Sequence, residues 1–377
     1  MDSKKPVVLF LSPHDAFPPT SGSERRIFEV SRGVAEFCCT HFVHPLEKAC
    51  GSESSGYPGE IHPVKIGCRL GKIASPKILT RMLKIHREVG FDCIFVHTFL
   101  PCLQGLLIKL ITGKPLLLDE QNAEFVRYRR TRSPVWPLVK VIETMACRKA
   151  DLVYSVSEVD RGMIIDLGIS PEKIIISRNG YDQGTFRPDP DAGGKAREEL
   201  GIPPGQVVLY FGNYNYAPNS EALALIEGEI APGVGAKLPG AVFVIAGRNP
   251  PQLGWKEPNI FFTGEVPRIN DLINLSDLVI CPLLSGGGTR LKILESIACG
   301  KRVISTTIGA EGLSGDIPGS HLFIEDELEP FVRRVVELLG KPGPSRAPGG
   351  LDARYSWRSI VRDSILPAIR RASAGQL

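Results

Sequence analysis

Short apolar runs alternate with amphipathic stretches along most of the chain. In the first half, 6–11, 92–97, 115–119, 151–155 and 173–177 read as buried strands. After the first of these comes a helix whose Ile27, Val30, Val34 and Phe37 fall on one stripe, at spacings of three, four and three. The stretch 182–205 is loaded with Pro, Asp and Gly and reads as a linker, with Asp189-Pro190-Asp191 a solvated turn. Beyond it the pattern restarts, with strands expected at 207–212, 241–247, 260–264, 278–282 and 302–306. An amphipathic helix over 356–372 closes the chain, carrying Trp357, Ile360, Ile365, Leu366 and Ile369. Continuous apolar strands separated by helices predict an α/β fold with parallel sheets. Ala150-Asp151-Leu152-Val153 is echoed by Ser276-Asp277-Leu278-Val279, which fits two similar doubly wound domains in tandem better than a repeat array. The expected division is 1–185, 186–352 and a C-terminal helix, 353–377.

Composition narrows the class. The 377 residues are 43% apolar and 23% charged, which excludes a disordered tail, a fibre or a rod. The 39 Gly and 31 Pro predict many tight turns. No window approaches a membrane-spanning run, and the apolar stretch 7–11 is too short for a signal-peptide core, so a cytoplasmic protein is expected. The nine cysteines contain no Cys-x-x-Cys and read as buried thiols. His41 and His44 flank Phe42-Val43 with no second ligand pair near them in sequence, and no metal is expected.

Charge is uneven. Residues 1–185 carry net +5 and the remainder net −1. Segments 61–87 and 125–142 hold seven and five basic residues and no acid, interleaved with Ile, Leu and Trp136. Such segments suit either an anionic membrane surface or a solvated face. Nucleic acid is a poor partner for so small an overall charge.

The most informative chemistry lies in 281–295. An apolar strand ends, Gly286-Gly287-Gly288 lets the backbone approach a ligand, and a helix is expected from about Thr289. Free N–H groups at a helix start attract phosphate, and Arg290 and Lys292 add positive charge where helices ordinarily carry acids. Glu295 falls at the edge of the helix's apolar stripe, where sugar hydroxyls would give its carboxylate partners. No Walker Gly-Lys-Ser/Thr is present, and no Gly-x-Gly-x-x-Gly follows a strand, which argues against a nicotinamide-dependent oxidoreductase.

The run from Gly286 to Ser296, continued by Gly300-Lys301-Arg302-Val303 and Gly309-Ala310-Glu311-Gly312-Leu313, resembles the donor-binding region of the retaining family 4 glycosyltransferases, in their Gly-Gly-Gly-Thr-Arg-Leu-Lys subgroup. Ser21-Gly22, Ser157-Glu158, Asn179-Gly180, Gly212, Pro218-Asn219 and Thr263-Gly264-Glu265-Val266 fall in that family's order. The resemblance implies a GT-B fold, in which two Rossmann-like domains face across a cleft and the C-terminal helix packs back towards the N-terminal domain. It further implies sugar transfer from a nucleoside diphosphate sugar to a glycan or lipid-linked acceptor, with retention and without a metal or other cofactor. The catalytic group would be His97, Arg290, Lys292 and Glu295, with Glu295 on the ribose hydroxyls. Gly287, Gly288 and Thr289 would line sugar and diphosphate, Gly264 and Val266 would hold the base, and Gly22, Asn213 and Arg248 would complete the donor site. Asn122 and Glu124 would contact the acceptor. Two departures stand out: Gly287 occupies the place of the family's first glutamate, and Gln121 stands where histidine is common. A nucleotide-sugar epimerase of the same fold and a non-catalytic nucleotide-sugar binder are the alternatives.

Overall fold

The computed structural model describes residues 5–47, 56–67, 69–249 and 259–377. Contacts divide the chain into two compact units, Met1–Gly180 with Trp357–Leu377, and Tyr181–Ser356.

The first unit is built on a parallel sheet of seven strands among the described residues, in the order β3-β2-β1-β4-β5-β6-β7. These are β1 (Val7–Leu11), β2 (Cys39–Pro45), β3 (Glu60–Val64), β4 (Cys93–His97), β5 (Leu116–Glu120), β6 (Leu152–Ser155) and β7 (Ile174–Ile176). The five expected strands are all present, and β2 and β3 join them at one edge. Central strands such as β1 are buried along their whole length, as their uninterrupted apolar runs require. Helices α1 (Gly22–Ala35), α2 (Pro76–Val89), α3 (Cys102–Thr112), α4 (Glu124–Arg130), α5 (Trp136–Lys149) and α6 (Glu158–Ile165) complete the unit. Ser21 caps α1 through the Glu24 N–H, while the Glu24 carboxylate reaches back to the Thr20 N–H at 2.8 Å. Ile27, Val30 and Val34 are buried as the stripe predicts, but α1 stops at Ala35 and Phe37 is 41% exposed.

The second unit carries a parallel sheet of six strands among the described residues, in the order β10-β9-β8-β11-β12-β13. They are β8 (Gln206–Asn213), β9 (Ala241–Arg248), β10 (Ile260–Gly264), β11 (Leu278–Cys281), β12 (Val303–Ser305) and β13 (Leu322–Ile324). Its helices are α7 (Pro190–Leu200), α8 (Ala217–Leu225), α9 (Ala231–Gly235), α10 (Ile269–Leu275), α11 (Leu291–Ala298), α12 (Leu328–Leu339) and α13 (Leu351–Tyr355). Helix α7 corrects the linker expected at 182–205. Asp189 is its N-cap, accepting from the Ala192 N–H at 3.1 Å, Pro190 occupies the first turn, and the helix packs against α10. Asp-Pro punctuation serves a turn and a helix start equally well.

The closing segment is α14 (Trp357–Ile360), a π-helical turn (Val361–Ile365) and α15 (Leu366–Ser373). It belongs to the first unit, where Val361 lies over Gly33 of α1 and the Tyr154 hydroxyl donates to the Ile365 carbonyl at 3.5 Å. Of the cysteines, six are buried thiols and Cys39 is exposed, while Cys50 and Cys68 lie outside the described residues. No helix among the described residues is long and apolar enough to cross a membrane.

Candidate active site

Each sheet reverses its strand order once, between β1 and β4 and between β8 and β11. Loops at the carboxyl ends of strands diverge at such a point and leave a crevice for ligand. In the second unit, the loop after β11 is the glycine turn. Ser305 braces its start by donating to the Cys281 carbonyl at 3.0 Å. Gly286 and Gly288 have φ of +107° and +74°, and a Cβ on Gly286 would crowd the Tyr216 hydroxyl and the Arg290 guanidinium. Helix α11 starts at Leu291, two residues later than expected, with Arg290 at the N-cap. Arg290 folds back over the turn, donating to the Gly287 carbonyl and, at 3.5 Å, to that of Ser285. Thr289 is buried beside it.

Lys292 lies on the first turn of α11. Its ammonium donates to Asn219 Oδ1 at 3.1 Å and sits 4.6 Å from the Tyr210 ring centre, a cation–π contact. Burial, together with the Arg290 charge, pushes its pKa down to about 8. Neither Lys292 nor Arg290 forms an ion pair among the described residues. Glu295 follows one turn later, half-buried. Asn213 ends β8, beside the turn, where its carbonyl accepts from Asn219 Nδ2 at 2.9 Å. Gly264 ends β10 at a register shift, with φ of +68°, and Val266 is half-buried just beyond. Arg248, expected to reach a phosphate, is instead paired with Glu265 at 2.5 Å in a half-exposed contact.

In the first unit, His97 is fully buried at the end of β4. Its Nδ1 lies 3.0 Å from Asp119 Oδ2 on β5, and its ring stacks on Phe10 at 5.5 Å. Asp119 is held by Arg26 of α1, through Nε at 3.1 Å to both oxygens and Nη2 at 2.5 Å to Oδ1. Arg26 also donates to the Arg178 carbonyl at 2.9 Å and Asn179 Oδ1 at 3.2 Å. Burial pushes the Asp119 carboxyl up, but Arg26 and the His97 hydrogen bond outweigh it and hold the pKa at about 2. Burial pushes the His97 pKa down, outweighing the opposite pull of Asp119. Sequence reasoning placed His97 in the site but missed the buried Arg26–Asp119 pair beneath it. An arginine on a helix and an aspartate ending a distant strand carry no local signal of pairing.

Gly22 opens α1, exposed, and Ser23 next to it donates to Gln121 Oε1 at 2.5 Å. Asn122 donates to Glu124 Oε1 at 2.8 Å, and Glu124 also receives Arg127 Nε at 2.9 Å. Glu143 caps α4 beneath them, accepting the Glu124 and Phe125 N–H groups at 2.8 Å each. Burial raises the Glu143 carboxyl to about 8.

Two doubly wound parallel units, one with a cation-lined glycine turn at its switch point, form the pair of Rossmann-like domains of the GT-B fold. Residues 20–184 match the profile of Glycosyltransferase Family 4, and residues 205–341 match that of Glycosyl transferases group 1. The chain is a family 4, GT-B glycosyltransferase. No curated protein sequence matches significantly. Among solved structures it is similar to HepE of Anabaena in complex with UDP and glucose, at 17% identity and TM-score 0.74, over 96% of this chain and 99% of that one. It is similar to sucrose-phosphate synthase of Thermosynechococcus elongatus, at 15% identity and TM-score 0.77, over 98% and 100%. A glycosyltransferase of Rickettsia africae gives 16% and 0.75, over 98% and 99%.

Proposed function

We propose that the enzyme transfers a sugar from a nucleoside diphosphate donor with retention at the anomeric carbon. The observation that carries this reading is the pair of cations at the start of α11, held by amide, carbonyl and ring partners and forming no ion pair among the described residues. A diphosphate is the dianionic group that such a turn accommodates, through Arg290, Lys292 and the N–H groups of Gly287 to Thr289. As negative charge grows on the leaving diphosphate, these groups stabilise the transition state more than the ground state. Glu295 takes the ribose, Gly264 and Val266 the base, and Asn213 and Gly22 further donor contacts. Arg248 joins them by exchanging Glu265 for phosphate. His97, held by Asp119, is the residue proposed for the transferred sugar, with Asn122 and Glu124 proposed for the acceptor. A panel of nucleotide-sugars tests the donor by thermal stabilisation, beginning with UDP-hexoses because HepE is solved with UDP-glucose. Product anomers then report retention, and turnover in chelator, below the unfolding range, reports that the chemistry needs no metal. Stabilisation without release of nucleoside diphosphate would favour a binder, and a free epimerised sugar would favour an epimerase.

A lipid-linked acceptor, met at the cytoplasmic face of an anionic membrane, has its own support. Leu110 and Ile111 of α3 are 81% and 63% exposed, and Leu138 and Val141 of α5, which packs beside α3, are 60% and 66% exposed. Exposed Arg129, Arg132 and Lys140 lie along the same segment. Apolar side chains rimmed by cations suit the headgroup boundary, each cation contributing about 1 kcal/mol near the surface. The protein is expected to sediment with anionic but not neutral vesicles and to be released by salt. Equal binding to both, or to neither, would favour a soluble acceptor.

A further inference from the structure

Edge strand β3 and its neighbour β2 bring together three groups that the donor chemistry does not use. His41 of β2 is the register partner of Glu60 on β3, and His62 follows two positions along β3. Alternation along a strand puts Glu60 and His62 on one face. His41 Nδ1 lies 3.1 Å from His62 Nε2 and 3.4 Å from Glu60 Oε2, and His62 Nε2 lies 3.7 Å from the same oxygen. Three ligand atoms thus form a small triangle. His44, by contrast, is three positions from His41 and so on the other face of β2, which explains why that sequence pair makes no site.

We propose that His41, His62 and Glu60 bind one divalent transition-metal ion of the zinc type, fastening edge strand β3 to β2. Two imidazole nitrogens and a carboxylate oxygen at about 2.0–2.1 Å from zinc stand about 3.3 Å apart in tetrahedral coordination, which the observed triangle already approaches. Two nitrogen donors favour zinc, cobalt or nickel over magnesium and calcium, which take oxygen. The rings are largely buried, while Glu60 is 69% exposed and leaves the fourth position open to water. The scaffold is close-fitting too: a side chain at Gly59 would strike Thr40, the neighbour of His41, so the backbone before Glu60 lies tight against β2. The site lies in the first unit, whereas the donor turn belongs to the second, and its role is structural.

Untagged full-length protein, stripped with chelator, is titrated calorimetrically with Zn²⁺ and then Co²⁺, and its melting is followed with and without zinc. One ion per chain, with a raised melting midpoint, is expected. Removing an outer partner of a metal ligand commonly costs about 10–100-fold in affinity, so His62→Gln should cost more than that, and Glu60→Gln should weaken binding while leaving the fold intact. Stabilisation by donor should be unchanged in His62→Gln, which separates this site from the donor reading. Cys39→Ser should bind as tightly as the parent. Absence of saturable binding, binding that survives both His62→Gln and Glu60→Gln, or binding lost in Cys39→Ser would overturn the proposal.

Discussion

Arg26 and Lys292 are both withdrawn from water, yet the two regions around them are built on opposite principles. Arg26 is 1% exposed and meets Asp119, which is fully buried, through three guanidinium–carboxylate contacts, with neutral acceptors taking the rest. Its charge is neutralised inside the first unit, and the pair fixes α1 against the ends of β5 and β7. Lys292 has an amide oxygen and two aromatic faces, and Arg290 has backbone carbonyls. These bonded partners are neutral, and the Glu295 carboxylate one turn away acts on Lys292 only through space, so neither cation is fully neutralised. A satisfied buried charge is architecture, whereas a desolvated cation with neutral partners is prepared for an anion that arrives later.

The largest expected effect tests the architectural side. Asp119→Ala leaves Arg26 buried without its partner, and breaking such a pair costs about 3–5 kcal/mol of stability. Denaturant melts check this, and a loss under about 1 kcal/mol would make the pair dispensable. Next in size, Lys292→Ala should lower kcat by about 10²–10³ while leaving stability equal or slightly raised, because a desolvated cation is removed. Comparable losses of stability in both variants would erase the contrast. Glu295→Ala should weaken donor affinity by about 1.5–3 kcal/mol, the worth of a hydrogen bond to a charged group, as read by donor titration of the folded variant.

The two regions should also part company with pH. Asp119 has a folded pKa depressed to about 2, so its stabilisation is present above the usual carboxylate value and is lost as pH falls from about 4 to 2. Asp119→Asn should flatten that limb of an acid-unfolding curve. Lys292, with a pKa lowered to about 8, is charged in both folded and unfolded chains below pH 8, where its desolvation cost is fully present. That cost is relieved as pH rises from 8 to 10.5, and the charge that holds diphosphate disappears with it. Donor affinity should therefore decline above about pH 8 in the parent and stay level in Lys292→Ala, the smallest of these effects.

What could be read from the sequence is what is local. The ten strands expected from apolar runs are present; the central ones are buried on both faces and so apolar throughout, and the edge strands β7 and β10 happen to be apolar too. The glycine turn and the cations after it lie within a few residues of one another, so their meeting at a helix start needed no tertiary information. Strands β2, β3 and β13 escaped notice: β2 carries Thr40, His41 and His44, β3 carries Glu60, His62 and Pro63, and β13 spans three residues. β3 and β13 are edge strands, covered less and free to be polar, whereas β2 is internal and buried, its polar Thr40, His41 and His44 breaking the apolar run that marks the other strands. Strand order alone decided which distant side chains meet. Placing β4 beside β5 joined His97 to Asp119, laying α1 across their ends brought Arg26, and setting β3 beside β2 joined His62 and Glu60 to His41. Asn219 likewise reaches Lys292 only because β8 and β11 are neighbours in the sheet. Such contacts join residues 19 to 93 positions apart, and no pattern along the chain encodes them, because each is set by how sheets and helices pack once the apolar faces are buried.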